Sequence, residues 1–240
     1  MSFSAVLGTA ILLGIAGGVI LFLLWPGPKQ GVKVLRRWGI AQPSDADVAE
    51  AVRYLKRRRI WYPWLFFLLP FLAEAAGMTD EATSGLWSLV WTLLIGGLLG
   101  ELFGLRPERT SRKTVMLARR RLVDLVPVAG LGALGFAVAG GVLETVLERQ
   151  WAELVVVVVC ALAAIAILVV TQLRPVAGNP AVDQVLRVRS ARLAIAFAIA
   201  VPATLPQTEM NLPKFLFFLV CLAAMFHLVR PFVRAAAPTV

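Results

Sequence analysis

The sequence predicts an all-α, polytopic integral membrane protein of about seven transmembrane helices, and three observations carry that prediction. Only 16% of the 240 residues are charged, where an average soluble domain carries about a quarter. The apolar residues gather in long uncharged runs. The cations, which give a formal charge of +10, gather in every second connection between those runs. Together these define a single membrane domain over residues 1–240, without a soluble domain.

The first run, 5–25, lacks the cationic start of a secretory signal, is too long for its apolar core and meets no small-residue cleavage site, so it reads as an uncleaved transmembrane helix. Residues 26–60 form a basic cytoplasmic loop holding Lys29, Lys33, Arg36, Arg37 and Arg53 and ending in Lys56, Arg57, Arg58 and Arg59. Ser44 is a helix-start signal there, with Asp45, Asp47 and Glu50 in the early turns and cations in the last, which complements the helix dipole. The resulting amphipathic helix, 44–59, carries Val48, Ala51, Val52 and Leu55 on one face and is expected to lie on the inner leaflet, with docking of a cytosolic partner as the alternative.

The second run, 60–76, is short and contains Pro63 and Pro70, so a kinked or re-entrant piece is as open as a full span. The same holds for the sixth, 191–205, with Pro202 inside it and Pro206 just beyond. The first run, the third (85–105), the fourth (123–143), the fifth (154–173) and the seventh (213–229) match a hydrocarbon core of about 30 Å at roughly 1.5 Å per residue. Thr110 or Ser111 starts a stretch leading to Arg119, Arg120 and Arg121, and Asn179-Pro180 starts one leading to Arg187, Arg189 and Arg192. The pattern is one helix plus three helical hairpins, each hairpin entered by an interfacial helix.

The connections set the orientation. Basic loops follow runs one, three and five, and acidic or weakly charged ones follow two, four and six. Of the 24 Lys and Arg, only Arg149 and Lys214 fall outside the basic set. Positive loops stay inside, so the N-terminus is expected outside and the C-terminus inside the plasma (inner) membrane. A Gly-, Ala-, Val- and Arg-rich chain with few Lys points to a bacterial source. Lys56, Arg57, Arg58 and Arg59, with Arg119, Arg120 and Arg121, fall at headgroup depth beside the aromatic belt of Trp61, Tyr62 and Trp64. Anionic membrane lipid is the expected partner of these cations. Nucleic acid is not, because the cations lie within about a turn of the bilayer boundary.

Small residues mark packing faces. Gly96, Gly100 and Gly104 form a double GxxxG on the third run; Ala129, Ala133, Ala137 and Gly141 form a similar strip on the fourth, and Gly14 and Gly18 on the first. These strips predict tight helix contacts, within the bundle, with a membrane-protein partner or in a homo-oligomer. The possible polar site is Glu101, Asp124 and His227. Glu101, about a turn from Arg106, is expected to snorkel or pair at the interface, Asp124 to complement a helix dipole, and His227 to sit at the interface. Cys160 and Cys221 lie in apolar runs, and one His with two scattered Cys makes no usual zinc or haem site, so no metal and no cofactor is expected.

No nucleotide-binding, rhomboid-type or intramembrane metalloprotease pattern occurs, which turns the expectation away from an enzyme. The leading expectation is a non-catalytic inner-membrane scaffold or accessory subunit that packs with other membrane proteins. The alternatives are a small transporter or permease built from hairpin repeats, then a membrane-embedded enzyme. A transporter would show a polar cavity lined by residues such as Glu101, Asp124 or Thr171.

Overall fold

The structure, a computed structural model, describes residues 3–23, 25–75, 85–104, 122–173, 179–205 and 211–230. These form helices α1 (Phe3–Leu23), α2 (Pro28–Arg37), α3 (Asp45–Arg59), α4 (Tyr62–Ala75), α5 (Gly85–Gly104), α6 (Leu122–Leu125), α7 (Val128–Leu147), α8 (Trp151–Leu173), α9 (Pro180–Ala203) and α10 (Leu212–Val229), with no strand among the described residues. Each of the seven apolar runs is helical over most of its described residues. Among the described residues, four helical stretches are long and apolar enough to cross a bilayer: Val6–Leu23, Val128–Leu147, Trp151–Leu173 and Leu212–Val229.

The helix at the centre is α9. Every residue from Ser190 to Ala203 is buried except Arg192 and Phe197, which are half-buried. A helix that is apolar all round must be covered on every side, and α5, α7, α8 and α10 all pack against this one. Small side chains such as Ala191, Ala194, Ala196 and Ala198 allow the close approach. Thus the short, proline-bearing sixth run is the spine of the bundle. Its interfacial entry helix is not separate: α9 runs unbroken from Pro180, capped by Asn179, whose side chain accepts a hydrogen bond from the Ala181 N–H at 3.1 Å.

The fourth run differs from its expected bounds. Pro127 is extended (φ −62°, ψ 148°) and divides the single turn α6 from α7. Proline lacks the donor an α-helix needs and disfavours helical backbone before it, so the long helix starts at Val128 and continues to Leu147, beyond residue 143. Neighbouring pairs α4–α5, α7–α8 and α9–α10 pack together, as hairpins would. The first helix does not stand alone: α1 lies antiparallel on α4, with Gly14 against Phe67 and Gly17 against Phe66. Gly18, paired with Gly14 in the expected strip, has nothing within 4 Å of where its Cβ would be.

Helix α3 begins with a capping box. The Asp47 N–H donates to Ser44 Oγ at 3.3 Å and the Ser44 N–H to Asp47 Oδ2 at 3.0 Å. Its apolar face does not lie on lipid. Val48, Ala51, Tyr54 and Leu55 form a second core with Leu35 of α2 and Val182 and Leu186 of α9, so residues 26–60 fold into a cap on the N-terminal half of α9. Protein covers this face because α9 extends past the bundle and offers apolar residues one turn apart.

Candidate functional site

Glu101 stands where the cap meets the bundle, in the last turn of α5, and is wholly buried. Three elements bring its partners. From α3, Tyr54 and Arg58 project on one face at i and i+4; from α9 come the adjacent Arg189 and Ser190. Ser190 Oγ donates to Glu101 Oε2 at 2.7 Å, and the Tyr54 hydroxyl donates to the same oxygen. Arg58 Nε lies 2.9 Å from Oε1, and Arg189 Nη1 lies 4.0 Å from it. Arg189 also donates to the Tyr54 hydroxyl at 3.2 Å. Phe197 and the Tyr54 ring sit beneath the two guanidiniums, 6.0 and 5.6 Å from them.

Close backbone approach makes this possible. A Cβ at Gly100 would stand 3.2 Å from the Arg58 carbonyl oxygen, and one at Gly104 3.6 Å from Arg58 Cβ. Two of the three glycines in the GxxxG strip therefore receive the last turn of α3 rather than another membrane helix. Gly96 is buried, and the adjacent Gly97 faces Phe197 of α9, where a Cβ would come within 2.7 Å of the ring. On α7 the buried seam is Gly130, Leu134, Ala137, Gly141 and Thr145. Of the expected strip, Ala137 and Gly141 belong to it, Ala133 is half-buried and Ala129 is exposed. An i+4 strip drifts around a helix of 3.6 residues per turn, so four such positions cannot share one seam.

Burial, and the Glu101 charge after it, push the Tyr54 hydroxyl far above its ordinary pKa, against the pull of Arg189 and Arg58. It therefore stays protonated and serves as a donor. Glu101 has both oxygens engaged, one by two hydroxyls and the other by two cations. A carboxylate so occupied clamps α3, α5 and α9 together.

Two further contacts fasten the cap. Asn179 Nδ2 donates to Asp47 Oδ1 at 2.9 Å. The Ser44 N–H first, and Asn179 next, hold the Asp47 carboxyl below its ordinary pKa. Lower on α9, Arg187 is almost fully buried, with Nε 2.6 Å from Asp183 Oδ2 and Nη1 2.7 Å from the Thr171 carbonyl oxygen. Arg187 thus donates to a carbonyl in the last turn of α8, whose i+4 residue, Pro175, carries no N–H. Thr171 Oγ1 donates to the Leu168 carbonyl oxygen at 2.8 Å.

The three residues of the expected polar site do not share one environment. Glu101 is buried, while Asp124 and His227 are exposed. Arg106, the expected partner of Glu101, lies outside the described residues, as do Arg119, Arg120 and Arg121. In the run Lys56 to Arg59, Arg58 turns inward to Glu101, Arg59 donates to Gln30 Oε1 at 3.1 Å, and the Lys56 ammonium lies 5.5 Å from the Trp25 ring. Arg57 is exposed. Cys160 and Cys221 are free thiols buried in the core. Among the described residues no group of three His, Cys, Asp or Glu comes together that could hold a metal ion.

Tyr54, Arg189 and Ser190 were not legible as partners of Glu101, because 47 residues separate Tyr54 from it and 89 separate Ser190. Asp183 and Arg187 did carry a signal, an acid four residues before a cation on one helix face. Compared with protein-family models, with characterised proteins and with solved structures, the chain matches none.

Proposed function

We propose that this chain is a non-catalytic scaffold or accessory subunit of the bacterial plasma membrane, crossing it seven times with the N-terminus outside and the C-terminus inside. The observation that carries the proposal is the filling of the bundle's centre. Ala194, Ile195, Ala198, Ile199 and Val201 of α9 are buried against apolar neighbours from α5, α7, α8 and α10. A transport pathway needs polar groups near the midplane, at the junction of broken helices. Here the buried charges of the described residues on α9, Asp183 and Arg187, lie in its first half, beside the cap. The dense apolar centre supports a rigid structural element. The large exposed apolar side chains of α1, α8 and α10 supply a surface for lipid and for neighbouring membrane proteins.

Thiol labelling tests this. With Cys160 and Cys221 replaced by Ala, single cysteines at Ile195 and Ile199 should resist a water-soluble maleimide in native membranes, with the membrane potential on or collapsed. Labelling at either position in any state favours the transporter and sinks the scaffold.

A further inference from the structure

We propose that α2 is an anionic-lipid contact of the chain, with Lys29, Lys33, Arg36 and Arg37 binding phospholipid headgroup phosphates in place of the run Lys56 to Arg59. This rests on the orientation above, in which the C-terminal end of α1 lies at the inner face.

The rotation of α2 is fixed by packing. Gly31 and Leu35 are buried, and a Cβ at Gly31 would meet Val52 Cγ2 at 2.9 Å and the Val48 carbonyl oxygen at 3.1 Å. With that face held on α3, Lys29, Lys33, Arg36 and Arg37 all stand exposed on the other. Positions i, i+4 and i+7 or i+8 make one stripe. The helix contains no acidic residue.

Its depth follows from chain length. Only residues 24–27 separate Leu23 of α1 from Pro28 of α2, and the five steps from one to the other reach about 18 Å at most. Each interfacial layer is roughly 5–8 Å thick beyond the hydrocarbon. The first turns of α2 therefore begin within, or about a Debye length from, the headgroups. Exposed Trp25 marks the same level, and Lys56 reaches back to its ring, which ties the end of α3 to that depth. Three cations of the expected lipid run, Lys56, Arg58 and Arg59, are engaged by Trp25, Glu101 and Gln30. The cationic stripe of α2 remains as a continuous face of one sign. Nucleic acid presents phosphates too, but a surface at this depth faces lipid first.

The test uses the full chain in mild detergent, titrated with phosphatidylglycerol or phosphatidylcholine and read by native mass spectrometry. Wild type should retain phosphatidylglycerol in preference, and the preference should collapse at high salt. The K29Q/K33Q/R36Q/R37Q variant should lose retention by roughly fivefold per neutralised cation, while K56Q/R57Q should lose less. All four positions are exposed, and an unchanged helical spectrum and elution volume identify a folded variant. Equal retention of both lipids by wild type, or unchanged preference in the quadruple variant, overturns the proposal. So does an oligonucleotide that displaces phosphatidylglycerol at lower concentration. A cysteine at Gln42 separates this failure from that of the orientation: labelling from outside the cell sinks both, whereas protection without lipid preference sinks only the lipid contact.

Discussion

Glu101 shows how much of a site a sequence reveals one residue at a time. A carboxylate at the end of an apolar run is visible, and so is the nearest cation along the chain, Arg106. Its partners among the described residues come from α3 and α9, and no local spacing specifies them. Local pairs such as Asp183 and Arg187 are readable because helix geometry alone joins them. Removing one member of a buried charge cluster leaves the others desolvated, a loss of about 3–5 kcal/mol. Glu101→Ala should therefore lower stability by about that amount and release the cap. Chemical unfolding in detergent and protease cleavage within residues 26–60 would report both effects. A loss under about 1 kcal/mol would place Glu101 with solvent-exposed ion pairs.

At the scale of elements, hydropathy located every apolar helix among the described residues, because burial in lipid or in a bundle demands the same uninterrupted run. It did not separate helices that leave an apolar face exposed from α9, whose second half is covered by protein. Residues 191–205 looked marginal by length, yet α9 is the element all its neighbours share. The break at Pro127 was present in the sequence as a proline, but its position near a helix start left the run looking continuous. Packing strips were partly legible. Gly141 lies against α9, where an added Cβ would stand 2.6 Å from Pro202 Cβ, whereas Gly132 has nothing within 4 Å. The two should respond oppositely to alanine. Gly141→Ala forces a contact against a rigid ring and should destabilise by about 1–3 kcal/mol. Gly132→Ala adds helix propensity and should stabilise by up to about 1 kcal/mol. Equal responses in unfolding experiments would show that α7 does not press on α9 at Gly141.

For the whole molecule, contacts between helix ends divide into two faces. One face gathers Arg58 of α3 with Glu101 at the end of α5, Arg189 of α9, and Arg187 with the end of α8. Gly130 near the start of α7 meets Leu228 near the end of α10 on that face as well. The other face gathers Trp91 of α5, whose indole N–H donates to the Thr204 carbonyl oxygen at 2.9 Å, and Lys214 of α10. Lys214 pairs with Glu148 and lies 3.4 Å from Glu144. Two carboxylates thus offset one of the two cations that break the charge alternation, so Lys214 places little positive charge on this second face.

The proposed topology, and the lipid contact that rests on it, depend on which of these faces lies inside, and cysteine accessibility in intact cells decides it. In a chain with Cys160 and Cys221 replaced by Ala, a cysteine at Gln150, between α7 and α8, should react with an impermeant maleimide before lysis. One at Gln42, between α2 and α3, should react only afterwards. Reaction at Gln42 in intact cells with protection of Gln150 would contradict the account.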